Sequence, residues 1–378
     1  VLRRGTAKLP DLRAIGEALD ELYGARIESI VRKEGESLCI GFLSDCIDEA
    51  YAPDADRLAA KVIRLLADVL CDPYLQDGVF CPDYTAGERE GLIDRIAAQK
   101  NDPRSWAPKR LTGLMCENEP YGQPALGTIE QARKITENKL YTAYRRALDE
   151  AQIELFYCGT LPPDAVEALF AATPLVQRRD GLLYQPQTGI AAQPADAPRE
   201  VIEEEQVTQG KLSLGFRTGG HCLTGGNPAA YWMFQTLYGG STSSKLFLNV
   251  RERKSICYYA SAQFISPKGI MMVNSGIENK DFETARDEIL RQLDACRAGD
   301  ITDAEIDAAR KTLTTNWRAM LDDPLTLERY WLGQAAAGTL VTPEERIAQV
   351  AAVTRGDIVA AAQATALDTV YFMKGAAQ

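Results

Sequence analysis

The chain has 378 residues, 46% hydrophobic and 25% charged, with a formal net charge of -11 at pH 7. That composition fits a globular protein of two or three domains, and no apolar run reaches the roughly 20 residues a bilayer-spanning helix needs, so a membrane protein is excluded. The negative charge argues against nucleic-acid binding: the one basic stretch, Lys245, Arg251, Arg253 and Lys254 with Lys268 beyond, is short and interrupted by Glu252.

In chain order, the first half predicts a helix over 15–25 ending in Leu22-Tyr23-Gly24-Ala25, then strands at Arg26–Val31 and Ser37–Leu43. An amphipathic helix follows, with Leu58, Val62, Leu65, Leu66 and Val69 on one face. The half closes with Thr128-Ile129-Glu130-Gln131, a helix from Ile135-Thr136 to Ala147-Leu148, and a strand at Ile153–Tyr157 before Gly159. The same order then recurs. A helix over 229–240 ends in Leu237-Tyr238-Gly239-Gly240, strands are expected at Ser255–Ile265 and Ile270–Ile277, and Phe282, Ala285, Ile289, Leu293 and Cys296 mark an apolar stripe. Thr342-Pro343-Glu344-Glu345, Val353-Thr354, a helix ending at Ala366-Leu367 and a strand at Val370–Met373 before Gly375 complete it, at a near-constant offset of about 215 residues, as from Leu22 to Leu237. A period this long means duplicated domains rather than a solenoid. The expectation is two α+β halves, 1–175 and 201–378, joined by a Pro- and Gln-rich linker over 176–200.

Nine cysteines without a C-x-x-C read as reduced thiols in a cytoplasmic protein. No signal peptide is visible, and the chain opens on Val1 rather than Met, which leaves room for residues upstream.

The densest signal is Leu237–Tyr259. Gly239-Gly240 breaks one helix, Ser241, Thr242 and Ser243 offer oxygens to cap the next, Leu246, Phe247 and Val250 give that helix an apolar face, and Ser255-Ile256 starts a strand. Arg251 and Tyr258 stand seven residues apart across the junction. This pattern resembles the C-terminal half of insulinase/pitrilysin-type zinc peptidases. The resemblance implies a clamshell of two homologous halves, each an antiparallel sheet with helices on one side. It also implies that Arg251 and Tyr258 contact the backbone and scissile carbonyl of a bound peptide.

The family's chemistry rests on H-x-x-E-H, with two histidines on zinc and a glutamate as base, plus a glutamate ligand downstream. One histidine, His221, cannot build that motif. Gly5-Thr6 resembles the point just after the zinc helix, which would then precede residue 1. The downstream pattern aligns on Glu88-Arg89 and puts Arg95 at the ligand position, with Asp94 beside it; a guanidinium cannot bind Zn²⁺. Asp102-Pro103, Trp106-Ala107, Met115-Cys116, Tyr121 and Gly127 further resemble a bacterial non-peptidase subgroup associated with modification of elongation factor P. The reading is therefore a noncatalytic subunit without its own metal or cofactor, which binds peptide and forms a dimer with a homologous zinc-bearing partner. Two alternatives stand beside it: an active zinc peptidase half whose motif lies upstream, and a structural subunit like the core proteins of respiratory complexes. Taken singly, Arg251 also reads as a solvated arginine paired with Glu252 or Glu288, Tyr258 as a tyrosine packed on the sheet, His221 as a loop histidine, and Glu203-Glu204-Glu205 as a solvated strand start.

Overall fold

The computed structural model describes residues 1–52, 57–177, 197–219 and 226–375. Its helices and strands fall into two compact units, one of Val1–Lys33, Leu38–Ala98 and Ala125–Pro186, the other of Glu34–Ser37, Gln99–Pro124 and Gln187–Gln378. Among the described residues no helix is long and apolar enough to cross a membrane.

The first unit opens with α1 (Leu12–Glu21), started by Asp11, whose carboxylate accepts from the Ala14 N–H. The hairpin β1 (Arg26–Glu34) and β2 (Ser37–Asp45) and then α2 (Leu58–Cys71) follow at nearly the expected bounds. Leu65 and Val69 of α2 bury against Ile27 and, from α1, Leu19, while Leu58 and Val62 pack with Ala25 and Ala52. A short ladder, β3 (Leu75–Gln76) and β4 (Val79–Phe80), leads to α3 (Pro82–Ala98). The helix α4 (Pro103–Met115) belongs with the second unit; α5 (Ile129–Arg133), α6 (Glu137–Glu150), α7 (Pro163–Ala171) and α8 (Pro174–Gln177) complete the first. Thr128 and Gln131 close a reciprocal capping box at the start of α5.

One expected strand does not form. Ile153–Tyr157 joins no ladder, and Leu155, Phe156 and Tyr157 remain 47, 38 and 37% exposed. Alternation makes a strand only where another backbone accepts its hydrogen bonds. Most of the expected linker lies outside the described residues.

The second unit is built on β5 (Arg199–Glu205), β6 (Gly210–Arg217), β7 (Cys257–Ile265), β8 (Ile270–Ile277) and β9 (Ala366–Gly375), in the order β5-β9-β6-β8-β7. The sheet is mixed rather than wholly antiparallel, because β5 runs parallel to β9. Its helices are α9 (Pro228–Gln235), α10 (Phe282–Arg297), α11 (Asp303–Met320), α12 (Pro324–Ala337), α13 (Pro343–Ala351) and α14 (Arg355–Ala364). Strand alternation sends Leu212, Leu214, Phe216, Val273, Val370 and Phe372 into the main core with α9, α10 and α14. The intervening Met272, Tyr371 and Met373 point to the other face, where Ala107, Leu111, Leu114 and Met115 of α4 cover them. Helices thus occupy both faces, not one. This is also why residues 99–124, which sequence order assigns to the first half, group with the second unit.

Two cations are buried where β6 and the β7–β8 turn end. Arg217, 5% exposed, donates to Asp368 at 2.9 Å, to Glu119 at 2.6 Å and to the Met115 carbonyl at 2.7 Å. Lys268, 1% exposed, meets Glu119 at 2.5 Å and also Glu36.

Candidate functional site

The candidate site is assembled by the segment between α9 and β7. Asn227 caps α9 through its side chain, and the helix widens into a π turn over Thr236–Gly240. A Cβ on Gly239 would lie 2.7 Å from the Ala262 nitrogen of β7, so glycine lets this turn touch the strand's backbone. Ser241 and Ser243 bond to each other instead of capping; the oxygen that accepts from the Phe247 N–H, at 3.4 Å, is that of Ser244. A second π-helical segment, Phe247–Arg253, follows, with Leu246 and Val250 fully buried and Phe247 half-buried. π turns are uncommon and concentrate at functional sites.

Arg251 projects from this segment. Its guanidinium lies 4.7 Å from the Phe247 ring centroid and 3.7 Å from Glu252, with the side chain 43% exposed. Glu288 is taken by other cations: Lys254 at 2.8 Å and Arg291 at 2.5 Å. The Arg251–Glu288 pairing therefore does not form. Ser255, at φ 54°, turns the chain into β7.

The register then shifts: Cys257 pairs with Ile277 and Tyr259 with Gly276, leaving Tyr258 as the extra residue of a β-bulge. Bulges re-aim side chains, and Tyr258 is 65% exposed, its hydroxyl donating to Glu278 at 3.3 Å. Tyr258 is not packed on the sheet. Its neighbour Tyr259 is, with Arg104 over its ring at 4.4 Å. Arg251 and Tyr258 are thus both solvent-facing at one helix-to-strand junction, each able to donate to a carbonyl oxygen.

The thiols near the core offer no nucleophile. Burial pushes Cys257 up, only partly offset by the Ser275 hydroxyl and the Arg251 charge. Burial likewise pushes Cys116 up to about 11 and Cys296 up to about 12, so both stay protonated and inert. None of the eight described cysteines is in a disulfide.

In the first unit, Arg95 is exposed on α3, about two turns beyond Glu88. Burial alone would raise the Glu88 carboxyl, but the hydrogen bond from Arg4, at 2.7 Å, and the charges of Arg4 and Arg95 hold it below the usual range. Two arginines facing one carboxylate are a donor set for an anion, not for Zn²⁺. Among the described residues no three His, Cys, Asp or Glu side chains could hold a metal. His221 lies outside the described residues.

Sequence reasoning missed the Tyr258 bulge and the polar network around Glu288. A carboxylate three residues after Ala285, on the buried stripe of α10, was the available signal for the latter. Glu203 is more than a solvated strand residue: it takes a bidentate pair from Arg110, Nη2 to Oε1 at 2.6 Å and Nε to Oε2 at 3.2 Å, and a bond from Tyr371 at 3.0 Å.

Against known proteins, residues 134–313 match the family described as the peptidase M16 inactive domain. The "probable inactive metalloprotease YmfF" of Bacillus subtilis is 35% identical over 376 residues, covering 99% of this chain and 87% of that one. An uncharacterized zinc protease of Streptomyces coelicolor is 24% identical over 319 residues, 81% of this chain and 68% of that one. The crystal structure of a conserved protein from Enterococcus faecalis V583 superposes with a TM-score of 0.87 at 26% identity, covering 100% of this chain and 88% of that one.

Proposed function

The chain belongs to the peptidase M16 family, and on that premise we propose that it is a noncatalytic subunit that binds extended polypeptide through Arg251 and Tyr258. In this reading it pairs with a homologous zinc-bearing subunit, which supplies the metal and the general base. The observation that carries it is an asymmetry: Arg251 and Tyr258 face solvent with donors to offer, whereas the degenerate ligand position holds Arg95, and Glu88 on the same helix is already bonded to Arg4. The relative described as an inactive metalloprotease supports the noncatalytic half of the reading. Thiols outside any disulfide support a reducing, cytoplasmic location.

The chemistry asked of this chain is positioning. A guanidinium with five N–H donors and a phenol can hold two backbone carbonyls of a bound chain and stabilise oxyanion charge that develops on one of them. Losing one such donor costs on the order of 10²-fold in rate. The test is to reconstitute the chain with its zinc-bearing homologue and compare peptide cleavage by wild type, Arg251→Ala and Tyr258→Phe. The expected result is an active pair, slowed on that scale by either substitution while the complex stays intact. Unchanged rates in an intact, active pair would overturn the clamp and leave a structural subunit in its place. The subgroup resemblance at Trp106 and Tyr121 adds elongation factor P to the polypeptides to offer as ligands.

A further inference from the structure

The fold redraws the basic stretch of the sequence. Lys245 leaves the surface against Glu305, at 2.8 Å, and Lys268 leaves it against Glu36 and Glu119. Arg253 and Lys254 stay exposed at the end of the π-helical segment, and Arg291 joins them from α10. One polar network fixes all three. Glu288, its side chain 1% exposed, accepts from Lys254 at 2.8 Å, from Arg291 at 2.5 and 2.9 Å, and from Gln292 at 2.7 Å. Gln292 in turn accepts from Asn249 at 3.0 Å, and Asn249 accepts from Arg253 at 2.9 Å.

Two cations, Lys254 and Arg291, are thus held directly by one carboxylate, and the third, Arg253, is tied to it through the neutral amides of Asn249 and Gln292, on a chain whose net charge is -11. An ammonium carries three donors and a guanidinium five, so these bonds fix the cationic heads without exhausting them. Preorganised donors lose little side-chain entropy on meeting a ligand.

We propose that this Glu288-anchored cluster of Arg253, Lys254 and Arg291 is a docking point for an acidic stretch of polypeptide. A few fixed cations suit the carboxylates of two or three Asp or Glu side chains. They are too few for a phosphate backbone, whose binding draws on many cations spread along its length. The proposal rests on the reading of Arg251 as a contact for bound polypeptide, since the cluster begins two residues further along the same segment, and it names the class of chain bound there.

The test is binding rather than cleavage, so it is read separately from the clamp. A fluorescein-labelled peptide with about four Glu in a Gly-Ser background, and its Gln counterpart, are titrated with the full chain by anisotropy at about 50 and 300 mM NaCl. The Glu peptide binds about tenfold more tightly at low salt, and the gap narrows at high salt. Arg253→Gln with Arg291→Gln removes the preference; Arg13→Gln, at an exposed arginine of α1 in the first unit, leaves it in place. Circular dichroism confirms folding, and Arg253→Gln with Lys254→Gln replaces the first pair if Arg291→Gln fails to fold. Equal binding of the two peptides, no binding of either, a preference that survives loss of the cluster, or tighter binding of a single-stranded oligonucleotide of equal charge each overturns the proposal.

Discussion

A carboxylate buried on the inner side of a helix costs several kcal/mol of desolvation unless donors meet it, and Glu288 meets four hydrogen bonds from three side chains. Burial alone would push its carboxyl up; the bonds from Arg291, Lys254 and Gln292 outweigh it and bring it down to about 2, against an ordinary 4.5. A carboxyl lowered on folding stabilises the fold above its unfolded pKa, and that contribution is lost as pH falls through the folded value. Glu288→Gln should therefore cost about 2 kcal/mol near neutrality, allowing for solvent around Lys254 and Arg291, with the difference from wild type fading between about pH 4.5 and 2. Urea denaturation across that range measures it; a difference that grows toward acid contradicts the assignment. Arg217 poses a starker case. Burial opposes the ionised Glu119, yet bonds from Arg217 and Lys268 hold its carboxyl below the usual range. Arg217→Met would strand Glu119 and Asp368 with one fewer cation, so a loss of about 3 kcal/mol or more is expected in the same assay.

Two close approaches set how the elements of the second unit can pack. A Cβ on Gly239 would lie 2.7 Å from the Ala262 nitrogen and 2.8 Å from the Ala262 Cβ, atoms of a strand that cannot yield without disturbing the ladder. A Cβ on Gly215 would meet the Met115 sulfur at 2.6 Å, the far end of a flexible side chain on α4. Gly239→Ala should therefore destabilise by about 2 kcal/mol, within the usual cost of overpacking, and displace the π turn that leads to Arg251; Gly215→Ala should cost about 1 kcal/mol or less. Thermal unfolding of the two variants decides between them, and equal losses would mean that the π turn yields as easily as a methionine. These elements also mark what the sequence could reveal. The stripes of α2 and α10 and the strand Ile270–Ile277 follow from periods of 3.6 and 2.0 and were legible from local pattern. The bulge at Tyr258 and the two π turns insert a residue into those periods, which averaging over a window hides. The place of α4 was hidden differently: its partners on β6 and β9 lie about a hundred and more than two hundred residues away, and no local pattern encodes them. Ile153–Tyr157 shows the converse, a strand pattern with no partner to complete it.

At the scale of the whole chain, the proposed division of labour between metal and clamp becomes a matter of donor inventory. Zinc sites take thiolate, imidazole and carboxylate ligands in a compact set, usually four, with an orienting second shell. Residues 1–378 contain one histidine. Cys116, Cys257 and Cys296 are pushed up by burial, and Glu88, on the same helix as the degenerate position, is bonded to Arg4 with Arg95 close enough to lower its pKa. A metal would have to displace the Arg4–Glu88 pair and then sit beside a second guanidinium. The expected outcome is that this chain, purified alone and dialysed against micromolar zinc, retains well under one equivalent by plasma mass spectrometry, and that Arg95→Glu does not raise it, because a single carboxylate supplies neither of the imidazoles the family's site uses. In complex with a zinc-bearing homologue, the ratio should settle at about one zinc per pair and move with the partner's ligands, not with Arg95. A chelator-sensitive equivalent of zinc on the isolated chain would place a metal site within these residues and return the catalytic role to this subunit.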